Sequence, residues 1–317
     1  MGQLVRTTCR RTVGRATLVA IDQDRLVTYA ATLADPQPPP ESTAVEPVSP
    51  VSMEQTAATV LSLNAINFGS GYHDLLNKDP GRSGARTIAA RWQQHLHRTG
   101  PLNSDALRTL TPDRCAIIFG QDQTNEARAE LVKQFAAALA DLGRFVDDGF
   151  GGSFLAVVEE AEGSAQRLAE SLLAMPYYRD HQNIDGDDVH FYKRAQISAA
   201  DLARAFGSCP PANFGDLDQL TAFADNLVPH VLRIDEVLRY DPDLAATIDA
   251  RQPLAAGSRA EIEIRAAGVE AVERLVAELN NAAGSNRAMD LDLLLWSRGS
   301  AARYKAVPRH RARSVFY

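Results

Sequence analysis

Two segments in the middle of the chain combine charged and apolar residues in a way that is typical of a catalytic pocket. Residues 191–197 (FYKRAQI) place Lys193 and Arg194 directly behind two aromatic residues. Residues 220–225 (LTAFAD) form a largely apolar run that ends in one carboxylate, Asp225. A carboxylate in apolar surroundings is costly unless a charged or hydrogen-bonding group compensates it, and the basic pair supplies the nearest candidates in sequence. An acid and a base held together in a dry pocket predict a catalytic site.

The basic residues also have a less specific interpretation. A Lys-Arg pair usually lies on a solvated surface, but the apolar residues around Lys193 and Arg194 predict that at least one of the two is partly buried. Arg265 is either a pocket cation or the partner of Glu261 in an exposed helical pair four residues apart.

A Gly-Ser-Gly turn lies between Phe68 and Tyr72, directly after Asn67. As a binding site, it would let a planar ring approach the backbone and stack on one of the two aromatics. The alternative, which composition alone favours, is an ordinary helix-ending turn with aromatic residues in the core. The turn is not a dinucleotide fingerprint, because no strand–turn–helix pattern surrounds it.

The residues that bind metals are not spaced for a metal site. The acidic residues 185–188 lack the remaining ligands of a calcium loop, and the seven histidines are scattered. Cys9, Cys115 and Cys209 contain no closely spaced pair, which argues against zinc and against a disulfide framework. We predict no metal site and no cofactor.

Composition and charge limit the class of protein. A chain of 317 residues with 45% hydrophobic content can bury a full core, and we predict one domain over residues 1–317. The net charge of −7 provides no basic field that would attract nucleic acid. The chain shows neither the apolar core of a signal peptide nor an apolar run of about 20 residues that could cross a membrane. These features predict a cytoplasmic protein with no membrane partner and no stable nucleic-acid complex.

Apolar periodicity predicts a mainly helical fold with few or no strands. The predicted helices lie at 26–33, 56–63, 85–97, 124–142, 154–175, 199–206, 217–224 and 260–280. Proline density at about 34–53 predicts an exposed, extended segment, because proline removes main-chain donors and disfavours helix. The chain ends on a basic run followed by Val-Phe-Tyr, and we expect Phe316 and Tyr317 to dock on the helical body.

Several motifs recur in a characteristic order. They are residues 192–196, 220–225, 228–229, 261–265, 295–296 and 310–317. Together they resemble the queuosine salvage family, over roughly residues 15 to 317. Proteins of that family are queuosine 5′-phosphate N-glycosylases, which release the base queuine from the nucleotide. The lysine–arginine and aspartate motifs are the most specific part of the resemblance.

The resemblance implies a helical fold similar to that of DNA glycosylases. It further implies that Asp225 matches a single catalytic aspartate and that Lys193 lines the same pocket. Residues 67–72 and 226–230 depart from the family pattern near the place where a base would be recognised. The resemblance therefore supports the type of reaction more strongly than the identity of the base. The candidate substrate contacts are Asn67, Phe68, Tyr72, Tyr192, Arg194, His230 and Arg265.

The chemistry of base release agrees with this set of residues. Breaking a ribosyl C–N bond develops positive charge on the sugar, which one carboxylate can stabilise while it orients or deprotonates water. A 5′-phosphate needs a cation, and Lys193, Arg194 and Arg265 are the candidates. Two other classes stay open: a non-catalytic protein that binds a modified nucleotide or base, and a DNA glycosylase, which the acidic net charge disfavours.

Overall fold

The computed structural model describes residues 1–33, 52–100, 102–207, 209–281 and 285–317. Most of the proline-rich segment predicted at about 34–53 lies outside these residues, and its last two, Ser52 and Met53, begin a helix. The described residues are mainly helical, with four short strands, which confirms the predicted fold class. The similarity to DNA glycosylases stays a prediction.

The described residues cluster in two compact units, each built from separate stretches of chain. One holds those within Met1–Thr43, Asp180–Gln196 and Asp216–Arg313, and the other holds those within Ala44–Arg179, Ile197–Gly215 and Ser314–Tyr317. The prediction of one domain over the whole chain stays a prediction.

Most helical residues of the first unit lie in the last of its three stretches, Asp216–Arg313. Its elements are α1 (Gly2–Val13), β1 (Val19–Ile21), α2 (Gln23–Leu33), β2 (His181–Ile184), β3 (Asp187–His190), α11 (Val228–Ile234), β4 (Leu238–Tyr240), α12 (Pro242–Asp249), α13 (Arg259–Asn281), α14 (Ala288–Arg298) and α15 (Ala302–Lys305), with a 3-10 turn at Leu217–Gln219.

Helices are the regular elements of the second unit, which contains no strand among the described residues. Its elements are α3 (Met53–Ala65), α4 (Gly84–Thr99), α5 (Ser104–Arg108), α6 (Pro112–Phe119), α7 (Glu126–Phe150), α8 (Phe154–Glu159) and α9 (Ala165–Leu172), with 3-10 turns at Ser70–Leu75 and Pro176–Tyr178. Helix α10 (Lys193–Phe206) begins in the first unit and ends in the second.

Helix α13 is the centre of the first unit. It packs against α1, α2, α11, α14 and β1. Ile264, Ala267 and Leu275 contribute to one apolar cluster, whereas Ile262 and Ala266 contribute to another. A helix that is apolar on more than one side is buried on more than one side, and this one carries the charged residues of its first turns into the core.

Two antiparallel strand pairs complete the first unit. Strand β1 pairs with β4, with Val19 opposite Tyr240. Strands β2 and β3 form a hairpin whose turn residues, Asp185 and Gly186, both have positive φ angles, as a tight two-residue hairpin turn requires. The acidic run at 185–188 therefore belongs to this hairpin.

Aromatic rings form the core of the second unit, in which α7 packs against α3, α5, α6 and α8. Trp92 stacks on Phe119, and Phe119 and Phe68 each contact Phe135, with ring centroids 5.1–5.8 Å apart. The Asn125 side chain accepts the main-chain N–H of Arg128 and so caps the start of α7.

Two of the predicted helices are wrong in part. The helix at 154–175 is interrupted, because Glu162 and Gly163 have φ angles of 48° and 76° and Ser164 caps a new helix, α9. The helix at 217–224 is only a 3-10 turn, Leu217–Gln219, after which the chain is irregular up to α11. No helix among the described residues is long and apolar enough to span a membrane.

Candidate active site

Asp225 lies at the end of the irregular segment, immediately before α11. Its Oδ1 accepts the main-chain N–H groups of Leu227 at 2.8 Å and Val228 at 3.0 Å. These two donors hold the carboxylate in one orientation. Within the described part of the chain, Oδ2 of Asp225 receives no hydrogen bond, and the side chain is half-buried.

The chain around Asp225 is held in place by buried contacts. Ala222, Phe223 and Ala224 are buried, and the main-chain N–H of Phe223 donates to Oδ1 of Asp292 at 2.9 Å. The Asn226 side chain donates to the carbonyl of His310 at 3.1 Å. The carboxylate therefore projects from a fixed, largely apolar segment, as the sequence predicted.

Lys193 begins α10 and is 5% exposed, and Arg194 after it is 1% exposed. The prediction that at least one of these cations is partly buried is confirmed for both. The preceding residue, Tyr192, has a φ of 49°, a left-handed conformation that is uncommon outside glycine. Its hydroxyl lies 2.8 Å from Nδ1 of His190, so the turn that presents Lys193 is itself anchored.

The predicted cation Arg265 is fully buried in α13, and its guanidinium contacts two carboxylates. It donates to both oxygens of Asp180, at 2.6 and 3.1 Å, and more weakly to Glu261 at 3.5 Å. Its Nε donates to the carbonyl of Ala224 at 3.0 Å, and its plane lies 4.0 Å from the ring centroid of Phe191. The pair with Glu261 exists, but it is buried rather than exposed.

Asp180 connects this guanidinium to the start of α10. Its Oδ2 accepts the main-chain N–H of Lys193 at 3.3 Å, and its carbonyl accepts those of Phe191 at 2.9 Å and Tyr192 at 3.1 Å. Asp180 is 1% exposed. Asp180 was not among the predicted site residues, because no local pattern marks a single aspartate before a strand and its partner Arg265 lies 85 positions away.

Two histidines lie close to this network. The pKa of His310 is lowered to about 3, first by burial and then by the positive charge of Arg265, so the imidazole is neutral in the folded protein. Burial also lowers the pKa of His230, whose Nε2 lies 2.8 Å from the carbonyl of Tyr304. His230, predicted as a substrate contact, is therefore a buried, neutral side chain of α11.

The other predicted contacts belong to the second unit. Phe68 packs edge-on against Phe135 and Tyr177, and Tyr72 is buried with its hydroxyl 3.4 Å from Nε2 of Gln134. The Asn67 side chain donates to Asn64 at 3.1 Å. Within this unit Phe68 and Tyr72 have the contacts of core aromatics, and their contact with substrate stays a prediction.

The glycine turn in this segment holds the last residues of the chain. Gly69, with a φ of 96°, and Ser70 direct their main-chain N–H groups at the main-chain oxygen of Tyr317, at 2.9 and 3.4 Å. Tyr317 is 2% exposed, whereas Phe316 is half-buried. The predicted docking is thus confirmed, with Tyr317 as the more deeply buried residue.

The described residues contain no group of three or more histidine, cysteine, aspartate or glutamate side chains placed to hold a metal ion. Two main-chain N–H groups contact Asp225 itself, and the guanidinium of Arg265 contacts the carbonyl of the residue before it. This arrangement can orient one carboxylate towards a substrate and can stabilise positive charge that develops beside it.

A sequence model of the queuosine salvage protein family matches residues 49–317. A queuosine 5′-phosphate N-glycosylase/hydrolase from Sphaerobacter thermophilus is 34% identical over 318 residues, covering 99% of this chain and 97% of that protein. One from Bos taurus is 30% identical over 247 residues, covering 74% of this chain and 72% of that protein. The chain belongs to the queuosine salvage protein family.

Proposed function

We propose that this protein hydrolyses the N-glycosidic bond of queuosine 5′-phosphate and releases queuine. A sequence identity of 34% to a protein of that name, over nearly the full length of both chains, supports this reaction. The observation that carries the chemistry is the geometry of Asp225. One carboxylate oxygen is fixed by two main-chain N–H groups, and the other accepts no hydrogen bond from the described residues.

The reaction needs a negative charge beside the sugar and a positioned water. As the bond between C1′ and the base nitrogen lengthens, its electron pair moves to the base and the ribose becomes cationic. Oδ2 of Asp225 stabilises this cation and accepts a proton from water, whose oxygen bonds to C1′. The departing base takes up one proton from solvent and Asp225 returns its proton to solvent, so that one water is added across the C–N bond in all. Because a 7-deazaguanine base lacks N7, stabilisation of the sugar cation carries more of the work than protonation of the leaving group.

Lys193 is the proposed pocket cation. A buried ammonium contributes a charge that water screens weakly, and it can contact the phosphate, the ribose or Asp225. Tyr192 and Arg194, on either side of it, are proposed to contact the substrate with it. Asn67, Phe68, Tyr72 and His230 are proposed as contacts to the base or ribose, on the weaker ground of their place in the motifs.

Arg265 was predicted from the sequence to bind substrate, but its contacts in the structure favour a different role. Its guanidinium contacts Asp180, Glu261 and the carbonyl of Ala224, and the side chain is 0% exposed. These contacts favour a residue that positions the catalytic segment over one that binds the 5′-phosphate.

The proposal is tested by incubating the purified protein with queuosine 5′-phosphate, queuosine and guanosine monophosphate, and by measuring free base and sugar by mass spectrometry. We expect queuine and ribose 5-phosphate from the first substrate, less queuine from the second, and no guanine from the third. Release of queuine from neither queuosine form would discard the proposed substrate. Tight binding without cleavage would show a non-catalytic binding protein.

A further inference from the structure

Arg265 and Asp180 contact the main chain next to both proposed catalytic residues. Nε of Arg265 donates to the carbonyl of Ala224, the residue directly before Asp225. Asp180 accepts the main-chain N–H of Lys193 through Oδ2. We propose that the Asp180–Arg265 ion pair is a positioning pair, which fixes Asp225 relative to Lys193 for the reaction. This inference rests on the proposed function.

The geometry of the pair suits this role. The two N–H···O contacts from one guanidinium to both oxygens of Asp180, at 2.6 and 3.1 Å, fix the angle between the side chains as well as their distance. Nε of the same guanidinium donates to the carbonyl of Ala224. A lysine ammonium carries the same charge without this planar fork, so it cannot maintain all three directions at once.

Both members of the pair also fix the turn before α10. The carbonyl of Asp180 accepts the N–H groups of Phe191 and Tyr192, and the plane of Arg265 lies 4.0 Å from the ring centroid of Phe191. Tyr192 needs such support, because its φ of 49° is a conformation that side-chain-bearing residues rarely adopt. Five contacts thus connect one ion pair to the turn that presents Lys193 and to the residue before Asp225.

Burial of the pair argues against a role in stability alone. Arg265 is 0% exposed and Asp180 is 1% exposed. Taking two charges out of water costs about as much as their attraction returns, so apolar residues of similar volume would serve stability equally well. An apolar pair would not fix the orientation of the two side chains relative to each other.

Glu263, on the same helix, offers a matched control. It is 0% exposed, contacts Arg259, and accepts the main-chain N–H groups of Thr17 at 3.1 Å and Leu18 at 2.7 Å. It is therefore a buried carboxylate with a cationic partner and main-chain donors, and its contacts lie at β1 rather than beside the catalytic residues.

The first test compares Asp180→Asn, Arg265→Lys and Glu263→Gln by steady-state kinetics on queuosine 5′-phosphate, at a temperature at which each variant is folded. The paired variant Asp180→Asn with Arg265→Gln removes both charges of the pair, so neither stays buried without the other, and Glu261 keeps the main-chain N–H of Gly257 as a donor. We expect kcat to fall at least about 10-fold in the Asp180 and Arg265 variants, with KM within about threefold, because small errors in position are costly to the chemical step. Glu263→Gln should retain kcat. Parent-like kcat in Arg265→Lys and in the paired variant would overturn the inference.

The second test needs no catalysis. Amide hydrogen exchange at Lys193, Leu227 and Val228 reports on the two segments that the pair connects. In Arg265→Lys we expect exchange at all three amides to accelerate together, at least about 10-fold, and in Glu263→Gln we expect no change there. Acceleration in only one segment would contradict the inference. If the parent protein releases no queuine, the proposed function fails, while the exchange measurement still decides whether the pair couples the two segments.

Discussion

Gln196 and Thr221 hydrogen bond to each other in both directions. Nε2 of Gln196 donates to the Thr221 hydroxyl at 2.9 Å, and the main-chain N–H of Thr221 donates to Oε1 of Gln196 at 2.8 Å. Nε2 also donates to the carbonyl of Phe191. Both side chains are fully buried, so the first turn of α10 is joined to the segment that leads to Asp225 by a second connection, independent of Arg265.

We predict that Gln196→Ala destabilises the protein by about 2–3 kcal/mol, because it leaves the buried N–H of Thr221 and the carbonyl of Phe191 without partners. Urea unfolding followed by circular dichroism measures the loss. The exposed Gln94→Ala on α4 is the control and should stay within about 0.5 kcal/mol of the parent. An equally small change in Gln196→Ala would show that these hydrogen bonds contribute little.

Lys193→Ala should lower kcat/KM for queuosine 5′-phosphate by about 10- to 100-fold, since it removes a buried cation from the proposed pocket. Lys305→Ala removes an exposed lysine of the same unit and should leave kcat/KM unchanged. Equal activities of the two variants, both folded, would exclude Lys193 from the reaction.

Because His310 is neutral in the folded protein, we predict that the free energy of unfolding decreases as the pH is lowered. The unfolded chain binds a proton near the ordinary histidine pKa of 6.5, whereas folded His310 does so only near its pKa of about 3. Between these values the unfolded state holds more protons, so stability falls as the pH drops through this window, by up to about 1.4 kcal/mol per pH unit.

The measurement is urea unfolding of the parent and of His310→Gln at pH 7 and pH 5. Because the variant lacks the titrating group, its loss of unfolding free energy over this interval should be smaller than that of the parent by about 2 kcal/mol. His97→Gln, at an exposed position, should lose as much as the parent. Identical losses in His310→Gln and the parent would show that His310 takes up its proton equally in both states.

Gly69→Ala should destabilise the protein by about 2–4 kcal/mol, which thermal unfolding will report as a lower Tm. A Cβ at this position would lie 2.7 Å from Cδ1 of Leu131, in a residue with a φ of 96° whose N–H holds Tyr317. Gly81→Ala is the control, because Gly81 has a φ of 76° with no atom within 4 Å of the added Cβ. If the Tm falls equally in both variants, backbone strain alone accounts for the decrease, and the contact with Leu131 contributes nothing.

The residues that carry charge in apolar surroundings were predictable from sequence. The neighbours of Lys193 and Arg194 leave little polar context, which predicted burial of at least one of the two, and both side chains are buried. The apolar stripe of α7 made that helix equally predictable, since periodicity reports directly on the buried face of a helix, although α7 continues to Phe150 beyond the predicted end at 142.

The contacts between distant segments were not predictable. Asp180 and Arg265 are separated by 85 positions, and no local pattern marks either as the other's partner. The error at 217–224 has the same origin. Main-chain N–H groups of Thr221 and Phe223 donate to the side chains of Gln196 and Asp292, so tertiary hydrogen bonds replace the helical ones that the apolar spacing suggested.

The sequence contains a signal for the break between α8 and α9, but the continuing apolar spacing favoured a single helix. Gly163 followed by Ser164 is a helix stop followed by a helix cap, and the apolar residues on either side continue in a similar spacing. Periodicity across a short break is therefore weaker information than the cap residues within it.

We expect the carboxylate charge of Asp225 to drive base release, and Asp225→Asn removes this charge while it keeps the size of the side chain. The matched control is Asp241→Asn, because Oδ1 of Asp241 also accepts two main-chain N–H groups at a helix start, those of Asp243 and Leu244, in the same unit. With single-turnover release of queuine from queuosine 5′-phosphate as the measurement, we predict at least about a 100-fold lower rate for Asp225→Asn, with substrate still bound, and a parent-like rate for Asp241→Asn. A parent-like rate for Asp225→Asn would show that base release does not depend on this charge.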